Sequence, residues 1–228
     1  MSEGSASRKR RARTLLSVEQ LLALDAALIA AYRDHDALCE RHPVARGHVS
    51  RPAIPSAFSE SLTALLIGEL YGVDATVAFG GVASDLLVIS PDGALTVEVK
   101  ASGVSRFQEL KERDLAADAL VWVDFGSRYV HGQGSVTFHH LPQPRRFAAP
   151  RRKLTLDLFL RSVEQLEGFR SITVLDISEL LTGAGGAEIV TSAPQLRLVP
   201  MTRLANASPD ASSDLLQVRS VGILPAGE

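Results

Sequence analysis

Lysine is nearly missing from this sequence. Lys9, Lys100, Lys111 and Lys153 are its only four, against twenty arginines, so positive charge is carried almost entirely by guanidinium groups. A lysine kept inside an apolar strand therefore stands out. Its compact ammonium, whose pKa moves readily on burial, suits it to orienting a water or a phosphoryl oxygen. Cysteine is scarcer still: Cys39 is the single one, which excludes an internal disulfide framework and a zinc site built from cysteines. Cys39 sits in a helical pattern, and buried packing is the role expected of it. No uninterrupted apolar run approaches the roughly 20 residues that span a bilayer, so no membrane partner is expected. The basic N-terminus lacks the apolar stretch of a secretory signal, and a cytoplasmic location is the expectation. No P-loop or helicase motif occurs, which argues against a large repair machine in a single chain. No internal repeat is found.

What is present is an ordinary globular composition. The chain has 228 residues, 46% hydrophobic and 22% charged, enough for one medium domain with or without an appended recognition subdomain. A net charge of −2 does not advertise nucleic acid by itself. Its distribution says more. Arg8, Lys9, Arg10, Arg11 and Arg13 crowd the N-terminus, and Arg145, Arg146, Arg151, Arg152 and Lys153 form a second group. Such clusters neutralise phosphates even when the global charge is near zero.

The periodicity predicts a helix from a Ser17/Gln20 capping box to about Cys39, ended by His42 and Pro43. A loop with three prolines follows, then a second helix from about Ser56 to Tyr71. Val73–Phe79 reads as a short strand, and Gly80-Gly81 as a joint before two strands at 85–90 and 94–101 linked by Pro-Asp-Gly. A helix is expected over 105–117. Ala119–Phe125 has the near-continuous apolar character of a central strand buried on both faces, with Trp122 in the core. Ser135–Leu141 is expected as an outer strand, Thr155–Phe169 as a helix and Ile172–Ile177 as another buried strand. Short β-like pieces follow at Glu188–Thr191, Leu196–Val199 and Leu215–Val221. The order gives an α/β or α+β fold, a central mixed β-sheet flanked by helices.

The chemistry concentrates in SDLLVISPDGALTVEVKAS, residues 84–102. The strand period of two puts Glu98 and Lys100 on one face and Leu95, Val97 and Val99 on the other, as core residues should be. Asp85 opens the preceding strand. Two carboxylates and an ammonium converging at a sheet edge can hold a divalent metal beside a phosphate. Phosphodiester hydrolysis needs a nucleophilic water, a cation for developing charge and help for the leaving oxygen, and Mg²⁺ on one or two carboxylates supplies much of this. Asp85 and Glu98 are the candidate ligands, with the Val99 carbonyl a third. Lys100 would orient or help deprotonate the water and stabilise charge. Glu60, on the preceding helix, is a candidate for a second ion or its water shell.

Asp85, twelve intervening residues, then Glu98-Val99-Lys100 resembles the PD-(D/E)xK nuclease motif. Glu60 on the preceding helix and the helix-then-hydrophobic-strand continuation extend the likeness over about residues 56–126. The stretch looks most like the catalytic core of small type II restriction endonucleases. The resemblance implies a restriction-endonuclease-like core, Mg²⁺-dependent cleavage of double-stranded DNA, and a homodimer matching a palindromic site. A DNA methyltransferase gene alongside would fit that role. Gln108 lies where some nucleases of this superfamily carry a glutamine that supports the site. The implied layout is a disordered basic arm over 1–14, a nuclease domain over 15–182, and a β-rich extension over 183–228 for recognition or dimerisation. Arg145, Arg146, Arg151, Arg152 and Lys153, with Arg197, Arg203 and Arg219, are the candidates for DNA contacts. The alternatives are another nuclease of the superfamily, acting on junctions, damaged or modified DNA, and a non-catalytic DNA-binding protein.

Ser84 stands where the motif has proline. A Pro-Asp pair does occur at Pro91-Asp92, but a hairpin tip points away from the strand interior that holds Glu98, so Asp92 is set aside. The turn leaves two registers open. With Asp92-Gly93 as a two-residue loop, Asp85 faces Lys100 and shares the face of Glu98; with a three-residue loop and a glycine bulge, Asp85 faces away. His131, His139 and His140 are expected at the surface or facing DNA, since adjacent strand histidines point to opposite faces.

Overall fold

Ser17 starts the first helix as its sequence requires. Gln20 N donates to the Ser17 hydroxyl at 3.2 Å, and Ser17 N donates to the Gln20 side chain at 2.9 Å. The computed structural model describes residues 14–72, 74–80, 84–104, 106–147, 153–182 and 189–192. Helix α1 (Val18–Arg41) buries Leu21, Leu28, Tyr32 and Cys39 along one stripe. Each such side chain contributes about 1.5–3 kcal/mol when fully buried. The second helix is broken at Leu66 (φ −91°, ψ 3°) into α2 (Ser56–Leu65) and α3 (Ile67–Tyr71).

The strands are β1 (Thr76–Phe79), β2 (Leu86–Ser90), β3 (Gly93–Ser102), β4 (Phe107–Glu109), β5 (Ala119–Asp124), β6 (Val136–Pro142), β7 (Lys153–Thr155), β8 (Arg170–Val174) and β9 (Ile189–Ser192). Short helices α4 (Glu112–Leu115) and α5 (Arg128–His131) flank β5, and α6 (Leu156–Val163) and α7 (Ile177–Thr182) flank β8. The main sheet has seven strands in the order β1-β2-β3-β5-β6-β8-β9, and β4 pairs with β7 in a separate two-stranded sheet. Only β3 and β5 run parallel; the other pairs in both sheets are antiparallel. The sheet is therefore mixed and mostly antiparallel, with helices on its faces. Among the described residues, no helix is long and apolar enough to cross a membrane.

Strand parity divides the core in two. Val97, Val99, Val121 and Val123 join Phe58 and Leu62 of α2, Leu21 and Leu28 of α1, and Ile177 of α7 on one face. Leu120 and Trp122 join Leu154 of β7, Leu156, Phe159 and Val163 of α6, and Leu110 on the other. All six residues of β5 are buried, as the apolar run predicts, and Trp122 is fully enclosed.

Several expectations about the elements are corrected. The helix over 105–117 is replaced by β4 and the single turn α4. Arg106 takes a positive φ of 43°, and Phe107-Gln108-Glu109 pairs with Thr155-Leu154-Lys153, a partner no local period reveals. Ser135–Leu141 is not an outer strand: β6 lies between β5 and β8, its alternation lost because both its faces are covered. The helix at 155–169 stops at Val163, and Gly168 (φ 79°) turns the chain into β8. Strand β8 ends at Val174, and Ile177 begins α7 instead of closing a strand. Ile189–Ser192, expected in a separate extension, pairs with β8 as an edge strand of the main sheet. The arm over residues 1–13 and the pieces at Leu196–Val199 and Leu215–Val221 lie outside the described residues.

Candidate active site

The β2–β3 hairpin sets the site. Ser90 pairs with Gly93 and Leu86 with Val97, so the two-residue loop is Pro91-Asp92. This is neither of the two registers left open by the sequence, but it keeps the parity of the first. The paired ladder ends at Leu86 and Val97, and by parity the next residue, Asp85, would stand opposite Glu98. Asp85 lies just before β2, and its Oδ2 accepts the Val99 amide hydrogen at 2.9 Å. The N–H and C=O of one strand residue point to the same side, so the Val99 carbonyl also faces Asp85. Further along that edge, the Gln108 side-chain amide donates to the Ala101 carbonyl. The margin of β3 that β2 leaves uncovered is thus bounded by Asp85 and Gln108. Behind Asp85 the chain is tight. Gly80 N donates to the Asp85 carbonyl at 3.0 Å, and a Cβ on Gly80 would stand 2.8 Å from the Ser84 carbonyl oxygen. Ser84, in the motif's proline position, is buried and donates its hydroxyl to the Leu86 carbonyl at 3.1 Å.

Glu98 aligns with Leu120 and Lys100 with Trp122, so both side chains project from the face of the Trp122 cluster. Lys100 Nζ donates to Glu98 Oε1 at 2.6 Å and lies 3.1 Å from Asp114 Oδ2. Asp114 is the member of this cluster that no sequence pattern pointed to. It sits on α4, only 1% exposed, and its Oδ2 also accepts the Lys111 amide hydrogen at 2.8 Å. No spacing rule connects position 114 to position 100; the crossover between the parallel strands brings them together.

Burial raises the Glu98 carboxyl to about 7, against the opposing pull of the Lys100 ammonium, while Asp85 and Asp114 push it the same way. Burial also works against the charged Lys100, but Glu98 and Asp114 more than offset it, and its pKa stands above the ordinary value. For Asp114 burial is outweighed by the Lys111 amide and the Lys100 ammonium, and its carboxyl is held below the usual range. Two carboxyl groups, Glu98 and Asp114, therefore share one ammonium, and Asp85 acts on Glu98 from beside them. A small divalent cation at Asp85 and Glu98 would balance that charge, with the Val99 carbonyl as a further oxygen. Mg²⁺ suits such a set because it needs one or two protein carboxylates and keeps several waters. Among the described residues no group of three or more His, Cys, Asp or Glu side chains is gathered to hold a metal, so an all-protein cage is not what this site offers.

Glu60 is buried on α2, the helix whose Phe58 and Leu62 pack on the sheet face opposite to that of Glu98 and Lys100. Arg145 donates twice to the Ala116 carbonyl, at 2.7 and 3.2 Å, and so holds the end of α4. Arg146 and Lys153 are exposed, while Arg151, Arg152, Arg197, Arg203 and Arg219 lie outside the described residues. His139 and His140 are not at the surface. They are 5% and 4% exposed, His139 bonded to Ser171 and His140 to Tyr71, each at 2.8 Å, because β6 is an interior strand. Cys39 is buried with its Sγ 3.7 Å from His35 Nε2.

No family model matches this chain, and neither a curated protein nor a solved structure matches it.

Proposed function

We propose that this chain is a Mg²⁺-dependent endonuclease of the PD-(D/E)xK kind that hydrolyses phosphodiester bonds in double-stranded DNA. Its role on this reading is that of a type II restriction enzyme: a cytoplasmic homodimer cutting a specific sequence, encoded beside a DNA methyltransferase. One observation carries the reading. Asp85 stands at the open margin of β3 on the Val99 amide, close enough to act on the Glu98 carboxyl, and the Lys100 ammonium lies 2.6 Å from Glu98. The element order around them, a preceding helix, a hairpin, a crossover and a buried strand parallel to β3, supports it further.

When bound, Mg²⁺ supplies Lewis-acid stabilisation of the phosphoryl charge and an activated water. The chain supplies the rest. Asp85, fixed by the Val99 amide, presents its second oxygen, and Glu98 presents a carboxylate from the neighbouring strand. Lys100 is held as an ammonium by two acids, so its part is to donate hydrogen bonds to the water or a phosphoryl oxygen, stabilising charge instead of removing a proton. Gln108 steadies the margin of β3 through the Ala101 carbonyl. Arg146 and Lys153 are exposed cations for the phosphate backbone.

The test is incubation of plasmid DNA with and without Mg²⁺. Discrete bands support restriction. Smearing or junction-only cutting points to another nuclease of the superfamily. Absence of cutting with Mg²⁺ or Mn²⁺ leaves the Glu98–Lys100–Asp114 network as internal charge pairing in a non-catalytic DNA-binding protein. Glu98→Ala and Lys100→Ala are each expected to abolish cleavage while leaving DNA binding largely intact. Near-full activity in either would show that the site is misassigned.

A further inference from the structure

Lys100 has two counter-charges, one from its own strand and one from the crossover. An ammonium carries three N–H donors. One goes to Glu98 at 2.6 Å, and a second acid, Asp114, stands at 3.1 Å. Asp114 is more deeply enclosed than either partner, at 1% side-chain exposure against 17% for Lys100 and 11% for Glu98. Its position is fixed from both ends of α4. The Lys111 amide donates to Asp114 Oδ2 at 2.8 Å, and the Arg145 guanidinium grips the Ala116 carbonyl at the far end. Beyond α4 the crossover is tied to β3, where Thr96 N and its hydroxyl both donate to Asp118 at 2.8 Å.

We infer that Asp114 is the positioning residue of this site. It holds the Lys100 ammonium in place and balanced in charge, so that Glu98 is free to turn to a divalent cation. The inference rests on the nuclease reading for the cation and on the two ion-pair distances for the residue. An ion drawing on the Glu98 carboxylate weakens the Glu98–Lys100 pair. Without a second acid, that step would leave a half-buried ammonium with no counter-charge, which is strongly unfavourable. With Asp114 in place the ammonium keeps one fixed partner and a direction, and it retains a donor for the phosphoryl oxygen or the attacking water.

The experiment uses the full chain and reads cation binding apart from catalysis. Mn²⁺ alone is titrated calorimetrically into the wild type and Asp114→Asn, and plasmid cleavage is measured in parallel. Asparagine keeps an acceptor for the Lys111 amide, so a purely structural role predicts unchanged Mn²⁺ binding and unchanged kcat. The positioning role predicts Mn²⁺ affinity weaker by about tenfold or more, with kcat reduced and KM for DNA unchanged. In a Lys100→Met background, Asp114→Asn should have no further effect on Mn²⁺ affinity. Should Asp114→Asn not fold, Arg145→Gln, which loosens only the end of α4, should weaken Mn²⁺ binding in the same direction. Wild-type Mn²⁺ affinity in Asp114→Asn would overturn this inference and leave the nuclease reading intact. A wild type that binds no Mn²⁺ would overturn both.

Discussion

Asp85 reaches past the start of its own strand and accepts the backbone amide hydrogen of Val99 at 2.9 Å. That bond fixes the carboxylate at the margin of β3 and satisfies an N–H that β2 leaves open. The two roles can be separated. Asp85→Asn keeps an acceptor for Val99 and loses the charge, so the fold should hold while cleavage falls about 100-fold or more. Asp85→Ala loses both, and should in addition cost about 1.5–3 kcal/mol, as expected for a hydrogen bond to a charged group. Thermal denaturation and plasmid cleavage read the two effects separately. Unimpaired cleavage by Asp85→Asn would reduce Asp85 to a strand cap.

Another ion pair, between Arg128 and Asp25, joins elements that carry none of the candidate site residues. Arg128 Nη2 donates to Asp25 Oδ2 at 2.7 Å and its Nε to Oδ1 at 3.3 Å, with the Tyr129 hydroxyl also on Oδ1 at 3.1 Å. The pair is buried and joins α1 to α5. Removing one partner leaves the other uncompensated, so Asp25→Ala or Arg128→Ala should each destabilise the fold by about 3–5 kcal/mol. The apolar combination Asp25→Leu/Arg128→Met/Tyr129→Phe should recover much of that loss. Denaturant unfolding measures it. Cleavage per folded molecule should not change in any of these variants.

The buried histidines make stability depend on acid. Burial lowers His139 to about 4 and His140 to about 3, and the guanidinium groups of Arg106 and Arg170 act in the same direction. Above the unfolded-chain value of about 6.5 both rings are neutral in either state, and their contribution is fully present. Below it the unfolded chain takes up protons that the folded chain refuses. Stability should therefore fall between about pH 6.5 and 4, by up to about 1.4 kcal/mol per pH unit for each histidine. Melting curves over this range check it against Tyr71→Phe/His140→Leu, in which the acid-side slope should be shallower by one proton. An unchanged slope would mean that His140 is not held neutral in the fold.

Local periodicity carried far where each element's own pattern decides its burial. The Ser17 capping box, the apolar stripe of α1, the all-buried strand β5 and the Glu98/Lys100 face were legible because periods of 3.6 and two are properties of the chain itself. Segments whose state depends on a distant partner were not. Phe107-Gln108-Glu109 is a strand because Lys153-Leu154-Thr155 lies beside it, and β6 buries two histidines because, as an interior strand, it is covered on both faces.

The candidate site divides along the same line. By itself the sequence determined that Glu98 and Lys100 share a face and that Val97 and Val99 take the opposite one, since backbone pleating allows no other arrangement within a single strand. The place of Asp85 depended on a turn compatible with more than one loop length, and the Pro91-Asp92 loop with the Val99 amide set it at the margin of β3. Asp114 and the sheet face occupied by Glu60's helix were decided by tertiary structure alone. An ion pair between residues 100 and 114 and the packing of α2 on the far face follow from how the crossover and the helix settle on the sheet. Neither contact leaves a trace in residue spacing, because in each the partners meet across the sheet or its crossover and not along one element.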